Sequence, residues 1–191
     1  MAKLKGSQTE KNLLKAFAGE SQARNKYTYF ASIARKEEYE QISSIFLETA
    51  ENEKEHAKIF FKYLEGGPVE INVTYPAGKL GKTSENLLAA ADGEKEEWGK
   101  IYLEFESIAR KEGFNDIANS FKFIGQVEKE HEKRYRKLLE NVKSITVFKK
   151  KVIVKWKCRN CGYVHEGKDA PATCPACSHP QSYYEVMLEN Y

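Results

Sequence analysis

The chain has 191 residues and a nearly balanced charge, with 31 lysines and arginines, 28 aspartates and glutamates, and a formal net charge of +3. Because basic and acidic residues are interspersed, no basic surface typical of nucleic-acid binding is predicted, and the basic run Lys149 to Lys151 is interpreted as a solvated linker rather than a binding patch. The start of the chain lacks an apolar leader and no stretch approaches about 18 apolar residues, so we expect a soluble cytoplasmic protein without a membrane or nucleic-acid partner.

Four helical patterns are predicted in the first part of the chain. They run from a capping box at Ser7 and Glu10 to about Glu37, from about Glu40 to Glu65, from Thr83 or Ser84 to about Glu112, and from about Asn115 to Asn141. The connections are short, long and short, and the long one contains Pro76, Gly78 and Gly81. Two tight hairpins joined by one long crossover are typical of a ferritin-like four-helix bundle, predicted here for residues 1–147.

The end of the chain predicts a second, smaller domain at residues 148–191. β-branched and aromatic residues become frequent after Val142, and Val152 to Trp156 predict a strand that leads into a cysteine loop. All four cysteines follow position 157, and a domain of this size usually needs a metal or disulfides to fold. The predicted fold class is therefore mainly α, with a small β-rich metal-binding domain after the bundle.

The helical part contains an internal repeat. Residues 27–58 and 102–133 agree at 15 of 32 positions without a gap, and both segments contain the tetrapeptide Glu-Lys-Glu-His near their ends. An ungapped match of this quality, 75 residues apart, indicates that a structural unit was duplicated.

Glutamates interrupt the apolar stripe of every predicted helix near its middle, where apolar residues are expected. A buried carboxylate without a partner costs several kcal/mol, and neighbouring carboxylates repel each other. A cation is therefore expected among them. The glutamates concerned are Glu20, Glu53, Glu94, Glu97 and Glu128.

Two of these glutamates are followed at i+3 by histidine, so that both side chains can bind one metal or a close pair. The pairs are Glu53 with His56 and Glu128 with His131. With Glu20 and Glu94 as single glutamates, they match the ligand pattern of di-iron carboxylate bundles, and mixed imidazole and oxygen ligands favour iron or manganese. One isolated Glu-x-x-His is usually a surface pairing, but two copies in register favour a dinuclear metal site.

Glu97 breaks the symmetry of the repeat, because its counterpart is Gln22 or Ala23. The two irons are therefore predicted to be inequivalent. Four carboxylates already neutralise two ferrous ions, so an oxidised pair attracts a fifth more strongly. We hypothesise that Glu97 binds one iron in the oxidised pair, yields to His56 in the reduced pair, and carries protons as it shifts.

Tyr27 and Tyr102 are equivalent by the repeat and lie two turns from Glu20 and Glu94. A phenol at this position can donate a hydrogen bond to a metal-bound carboxylate, so both tyrosines are predicted to act in catalysis with Glu97. The alternative is that they are core aromatic residues whose hydroxyls are satisfied elsewhere.

The cysteines form two C-x2-C pairs separated by twelve residues, a spacing that suits one tetrahedral metal ion. They are Cys158, Cys161, Cys174 and Cys177. Gly162 permits a positive φ, which turns backbone N–H groups toward the sulfurs. The spacing alone leaves iron and structural zinc equally open.

The whole chain resembles the rubrerythrin family, in which a ferritin-like di-iron domain precedes a rubredoxin-like domain. The matching motifs are Glu20, Glu53-x-x-His56, Glu94-x-x-Glu97 and Glu128-x-x-His131 for the di-iron pattern, and Cys158, Cys161, Cys174 and Cys177 for the Fe(Cys)4 pattern. The resemblance implies two irons in the bundle, one iron in the cysteine site with zinc as a possible substitute, and a cytoplasmic peroxidase that turns hydrogen peroxide into water in an anaerobe or microaerophile. It also implies rubredoxin and an NAD(P)H-dependent rubredoxin reductase as electron suppliers, and a homodimer or higher homo-oligomer.

Two other functions fit parts of the pattern. A ferritin-like protein that oxidises and stores iron would share the bundle but would have no use for the cysteine domain. A zinc-ribbon interaction protein with a metal-sensing bundle would share both domains. The response of the reduced protein to hydrogen peroxide separates the three functions.

Overall fold

The computed structural model describes residues 3–190, and its first part is a bundle of four helical rods. The helices are α1 (Gln8–Lys36), α2 (Glu40–Tyr63), α3 (Thr83–Glu96), α4 (Tyr102–Lys111) and α5 (Asn115–Lys143). Short turns at residues 37–39 and 112–114 close two hairpins, and the irregular segment 64–82 crosses between them, as predicted for a ferritin-like bundle. Within residues 3–190, every helix is too short or too polar to span a lipid bilayer.

The third rod contains a π turn at Glu97–Ile101, which joins α3 to α4. The sequence predicts one uninterrupted helix here, so the turn corrects that prediction. Its cause is visible in the repeat, because Gly19 and Gly93 lie 74 residues apart whereas Tyr27 and Tyr102 lie 75 apart. One extra residue is present in the second half, and a helix accommodates a single insertion as a wider π turn.

Two apolar clusters fill opposite ends of the bundle. One includes Phe46 and Tyr135, and the other includes Phe60 and Phe121. On α2, Glu53 lies midway between Phe46 in one cluster and Phe60 in the other. The site glutamates therefore occupy a polar layer between two apolar ends, where water does not solvate their charges.

The predicted capping box at the start of α1 is only half formed. Ser7 Oγ accepts a hydrogen bond from the Glu10 N–H at 3.0 Å, as predicted. The Glu10 carboxylate, however, accepts from the Gly6 N–H at 2.7 Å instead of from Ser7. The N–H that Glu10 satisfies is thus one residue earlier than a capping box requires.

Each hairpin caps the first helix of the other hairpin. The Glu112 carboxylate accepts hydrogen bonds from the N–H groups of Gln8 at 3.1 Å and Thr9 at 2.8 Å, and from Thr9 Oγ1 at 2.6 Å. Its counterpart in the repeat, Glu37, accepts from the Thr83 N–H at 3.0 Å at the start of α3. These carboxylates satisfy N–H groups that a helix start leaves free and interact favourably with the helix dipole.

Replacing Glu112 with alanine is expected to lower the free energy of unfolding by about 1–3 kcal/mol, because a charged cap is lost. Burial raises the pKa of Glu112, but the hydrogen bonds from Thr9 and Gln8 outweigh this effect and hold the pKa below its usual value. The stabilisation is therefore present above the unfolded pKa of about 4.3 and is lost as the pH falls through the folded pKa. Denaturant unfolding at neutral and acidic pH measures both effects.

The matched control for this cap is Glu140→Ala, which removes an exposed carboxylate paired with Lys137 on α5. Its unfolding free energy should stay unchanged, since exposed ion pairs contribute little. Equal losses at neutral pH for Glu112→Ala and Glu140→Ala would contradict the role of Glu112 as a helix cap.

The residues after α5 form a three-stranded antiparallel sheet. Its strands are β1 (Lys149–Cys158), β2 (Val164–Asp169) and β3 (Tyr184–Val186), in the order β2-β1-β3. The predicted strand lies within β1, and the basic run Lys149 to Lys151 begins this strand instead of forming a linker. Trp156 is fully buried with Cys158 and Cys174 in a small core. The domain boundary between residues 147 and 148 stays a prediction and lies between α5 and β1.

Candidate metal centres

Six side chains from the apolar stripes converge in the polar layer of the bundle. α1 and α3 each contribute one glutamate, and α2 and α5 each contribute a Glu-x-x-His pair. The glutamates are at most 1% exposed and the histidines are 5% and 7% exposed. These side chains are Glu20, Glu53, His56, Glu94, Glu128 and His131.

The six side chains form two overlapping groups of four, in which the potential ligand atoms all lie within 4.8 Å of one another. One group is Glu20, Glu53, His56 and Glu128, and the other is Glu53, Glu94, Glu128 and His131. His56 Nδ1 lies 2.9 Å from oxygens of both Glu53 and Glu128, and His131 Nδ1 lies 2.8 Å from Glu128 and 3.2 Å from Glu53. Because Glu53 and Glu128 belong to both groups, their carboxylates can bridge a close pair of ions.

Several atoms of this cluster lack the hydrogen bonds that buried polar atoms require. Among the described residues, no hydrogen bond reaches Glu53 Oε1, Glu20 Oε2, Glu94 Oε2, either carboxylate oxygen of Glu128, or His131 Nδ1, so the short distances to imidazole are not aligned as hydrogen bonds at these atoms. Burial, followed by repulsion from neighbouring carboxylates, raises the pKa of Glu20 and the pKa of Glu94 well above the usual value. Two divalent cations would satisfy these atoms and remove the repulsion, so the residues fit a dinuclear iron site.

Neighbouring carboxylates favour the protonated form of both histidines when no metal is bound. Burial lowers their pKa values, but Glu128 and Glu53 more than compensate and raise the pKa of His56 to about 10 and the pKa of His131 to about 9. Burial raises the pKa of Glu53, but its contacts with His131 and His56 outweigh this effect and lower the pKa to about 2. Imidazolium therefore partly balances the carboxylates, and each imidazole must lose a proton to bind a metal.

The two repeat-related tyrosines contact ligands on opposite halves of the repeat. Tyr27 OH donates to Glu94 Oε1 at 2.5 Å, and Tyr102 OH donates to Glu20 Oε1. Each tyrosine thus reaches the other half, rather than the glutamate two turns away in its own half. Burial, together with the adjacent glutamate, raises the pKa of both phenols, so both keep their protons. These contacts favour the interpretation that the tyrosines orient metal ligands.

Replacing Tyr27 or Tyr102 with phenylalanine is expected to weaken ferrous iron binding by about 10–100-fold, because a ligand carboxylate loses its hydrogen-bond donor. Anaerobic titration of the metal-free protein with ferrous iron measures the affinity. Tyr135→Phe is the matched control, since Tyr135 is fully buried 5.4 Å from the Tyr27 ring and its hydroxyl has no hydrogen-bond partner among the described residues. An equal loss of affinity in Tyr135→Phe would assign the effect to aromatic packing instead.

Glu97 lies near the cluster but outside both groups of four. It is the first residue of the π turn and is half-buried, unlike the other site glutamates. Burial, followed by repulsion from Glu128 and Glu53, raises the pKa of Glu97 to about 8. Its role as a metal ligand stays a prediction, and the presence of His56 in a ligand group corresponds to the arrangement hypothesised for the reduced pair.

The four cysteines converge in the C-terminal domain. Cys158 Sγ lies 3.8 Å from Cys177 Sγ, Cys161 Sγ lies 3.7 Å from Cys174 Sγ, and all four are free. Metal–sulfur bonds of about 2.3 Å at tetrahedral angles separate the sulfurs by about 3.8 Å, so this spacing fits a four-thiolate metal ion. A hydrogen bond from the His179 backbone N–H lowers the pKa of Cys177 to about 6, which favours its thiolate.

Gly162 has the positive φ predicted for it, 81°, directly after Cys161. Two other features of the metal centres were not predicted from the sequence. The π turn had a detectable signal, the change of repeat spacing between Glu20 and Tyr27. An open groove of about 490 Å³ between α2 and α5 reaches His131 and had no such signal, because its walls come from two helices.

Both parts of the chain have relatives among known proteins. Residues 11–139 match the Rubrerythrin family, and residues 156–185 match its rubredoxin-like domain. The chain is 58% identical over 188 residues to rubrerythrin from Porphyromonas gingivalis, with 98% of this chain and 94% of that protein covered. It is 52% identical over 191 residues to rubrerythrin from Nitratidesulfovibrio vulgaris, with 100% of each covered. A solved structure of nigerythrin in a partially reduced state aligns with a TM-score of 0.63 at 29% identity, covering 96% of this chain and 90% of that chain.

Proposed function

The chain belongs to the rubrerythrin family, and from this premise we propose that it is a non-haem di-iron peroxidase that reduces hydrogen peroxide to water. Its bundle carries a di-iron site and its C-terminal domain carries a rubredoxin-like four-cysteine iron site, in agreement with the predicted cofactors. We propose that the four-cysteine iron relays electrons to the di-iron site. The observation that carries the proposal is the pair of buried ligand groups that share Glu53 and Glu128, in one chain with a four-thiolate site.

Reduction of hydrogen peroxide requires two electrons and two protons. When bound, the iron pair supplies the two electrons and the cysteine-bound iron returns them one at a time. Glu53 and Glu128 would hold both ions, and Tyr27 and Tyr102 orient the carboxylates of the single glutamates. The apolar clusters on both sides exclude water, which strengthens the electrostatic interactions within the polar layer.

Glu97 is suited to carry protons into the polar layer. Burial of its carboxyl group raises the pKa of Glu97 to about 8, so this side chain can both hold and release a proton near neutral pH. Its charge also interacts with Glu128 and Glu53 inside the cluster. We assign Glu97 the role of proton carrier, and Tyr27 and Tyr102 the role of hydrogen-bond donors.

The exchange of Glu97 for His56 on reduction is part of this proposal. His56 lies in a ligand group with Glu20, while Glu97 lies outside, which supports His56 as the ligand in one redox state. Structures of the oxidised and reduced protein should differ in this pair of side chains. The same ligand set in both states would contradict the exchange.

Electron supply, assembly and location are proposed from the family resemblance. We propose reduced rubredoxin as the donor, an NAD(P)H-dependent rubredoxin reductase that maintains it, a homodimer or higher homo-oligomer, and a cytoplasmic location.

The peroxidase proposal is tested by adding hydrogen peroxide to the anaerobically reduced protein and recording the visible spectra of both iron centres. We expect rapid oxidation of both centres by stoichiometric peroxide with little ferric mineral. Accumulation of a ferric mineral would favour iron storage, and a colourless protein with zinc bound by its cysteines would favour the zinc-ribbon alternative. A protein that stays reduced would refute the peroxidase.

A further inference from the structure

A chain of hydrogen bonds surrounds the π turn and has no part in the function proposed above. Trp98 Nε1 donates to Glu132 Oε2 at 2.7 Å, Arg136 Nε donates to Glu132 Oε1 at 2.7 Å, and Arg136 Nη2 donates to Asp92 Oδ1 at 2.9 Å. These four residues, here named the turn clamp, join three segments: α3 before the turn, the turn itself, and α5.

The first half of the repeat has neither the π turn nor the clamp. α1 passes through the equivalent region as a regular helix. Asp92, Glu132 and Arg136 correspond to Ala18, Ala57 and Phe61, which have no polar side chain. Trp98 corresponds to Ala23 or Arg24, and the Arg24 side chain lies 3.8 Å from Glu51 on α2 without a link to a third segment. The clamp therefore occurs in the half that contains the inserted residue and the additional carboxylate of Glu97.

The clamp ties the residue beside Glu97 to the helix that carries two metal ligands. Trp98 directly follows Glu97, and Glu132 directly follows the ligand His131 on α5. Lys129 Nζ, also on α5, lies 5.3 Å from the centre of the Trp98 ring. α5 packs directly against the turn at Gly125, where a Cβ would lie in ordinary van der Waals contact, 3.5 Å from Tyr102 Cβ and 4.0 Å from Trp98 Cα.

A π turn is a local defect in the hydrogen-bond ladder, and contacts outside the helix must keep it at one position. We propose that the turn clamp keeps the π turn at Glu97–Ile101 and thereby sets the position of the Glu97 carboxylate relative to the ligands on α5. Trp98, Glu132 and Arg136 are positioning residues. This inference depends on the proposed function only for its consequence in catalysis.

The effect of the clamp is local because its outer members are exposed. The side chains of Asp92 and Arg136 are 61% and 38% exposed, and ion pairs of this kind contribute little to global stability. By contrast, Glu132 is 13% exposed and accepts from both Trp98 and Arg136, so it is the centre of the chain. Loss of the Trp98 contact is therefore expected to loosen the turn and leave the helices intact.

Hydrogen–deuterium exchange of the iron-loaded protein tests this proposal. Trp98→Phe keeps an aromatic ring on the turn but removes the indole donor. We expect the amides of residues 97–102 to exchange at least about tenfold faster than in the wild type, and those of α1 and the rest of α5 to stay within about twofold. An unchanged rate at the turn, or a uniform rise across all helices, would overturn the proposal.

Two further variants keep the test decisive. Asp92→Asn alters an exposed side chain and should raise exchange at the same amides by about threefold, whether or not Trp98→Phe folds. Glu140→Gln, which weakens an exposed ion pair elsewhere on α5, should change nothing. Unchanged exchange at the turn in Asp92→Asn, or faster exchange there in Glu140→Gln, would count against the clamp.

The absorption spectrum of the oxidised iron pair provides a second readout. It should change in Trp98→Phe and stay unchanged in Glu140→Gln, because only the first variant shifts Glu97. An unchanged spectrum would overturn the link between the clamp and Glu97. If the reduced protein is not oxidised by peroxide, the proposed function is refuted. Faster amide exchange at the turn in Trp98→Phe would still support the role of the clamp in that case.

Discussion

Replacing Glu94 with glutamine is expected to stabilise the metal-free protein and to destabilise the iron-loaded protein. Burial, followed by Glu53 and Glu128, raises the pKa of Glu94 in the metal-free cluster. A neutral amide still accepts from Tyr27 and avoids the cost of an ionised carboxylate buried beside Glu53 and Glu128. Since one pKa unit corresponds to about 1.4 kcal/mol, we expect a gain of roughly that size or more. In the iron-loaded state the change weakens a ligand, and a loss of about 100-fold in affinity removes about 2.7 kcal/mol of stabilisation.

Denaturant unfolding of Glu94→Gln under anaerobic conditions, once in the presence of a chelator and once with saturating ferrous iron, measures the free energy of unfolding in both states. Because the folded pKa of Glu94 is raised, its favourable contribution is present below the unfolded pKa of about 4.3 and is lost as the pH rises through the folded pKa. The gain in metal-free stability should therefore be largest at neutral pH and shrink toward pH of about 4. Glu140→Gln should leave the stability of either state unchanged. A loss of metal-free stability in Glu94→Gln would contradict repulsion within the cluster.

Replacing Cys161 and Cys174 together with alanine is expected to abolish sustained peroxide reduction and to preserve one round of oxidation at the di-iron site. Turnover with rubredoxin as donor should fall by at least about 100-fold, because the variant would lack the proposed electron relay to the bundle. The spectrum of the cysteine-bound iron should disappear, and the sheet around Trp156 should lose order, since a domain of this size depends on its metal.

Stopped-flow mixing of the reduced double variant with one equivalent of peroxide separates relay from structure. Oxidation of the di-iron site should keep a rate within about twofold of the wild type. Lys168→Gln, an exposed change on β2, is the control and should retain both activities. Loss of the single oxidation together with turnover would mean that the cysteine domain supports the bundle structurally, and unchanged turnover would refute the relay.

The metal-binding motifs were predictable because their geometry is local. Two residues three apart on a helix lie on one face, so Glu53 with His56 indicated a metal ligand pair before any packing was known. The same holds for the two C-x2-C pairs, including Cys158 and Cys161. The predicted fold class and family are confirmed. They were predictable because the four helices, the long crossover and the cysteine-bearing sheet each follow from patterns within single segments.

Contacts between helices were not predictable from one sequence. The repeat indicated that Tyr27 and Tyr102 are equivalent, but not that each donates to a glutamate in the other half. Likewise, the sequences at the starts of α1 and α3 do not indicate that Glu112 and Glu37 cap these helices. Such partners depend on the rotation and offset of neighbouring helices, which packing of the apolar clusters sets.

The amino-acid order thus determined which side chains can bind metal, because helical periodicity and cysteine spacing act within a few residues. Packing of the bundle decided which carboxylates are shared, which tyrosine serves which glutamate, and how the single insertion is absorbed. The π turn depends on both. The inserted residue is visible in the sequence, but we attribute the position of the turn at Glu97 to contacts between Trp98 and α5. Geometry within one helix or loop follows from the covalent spacing of its residues, whereas contacts between helices depend on how the whole bundle packs.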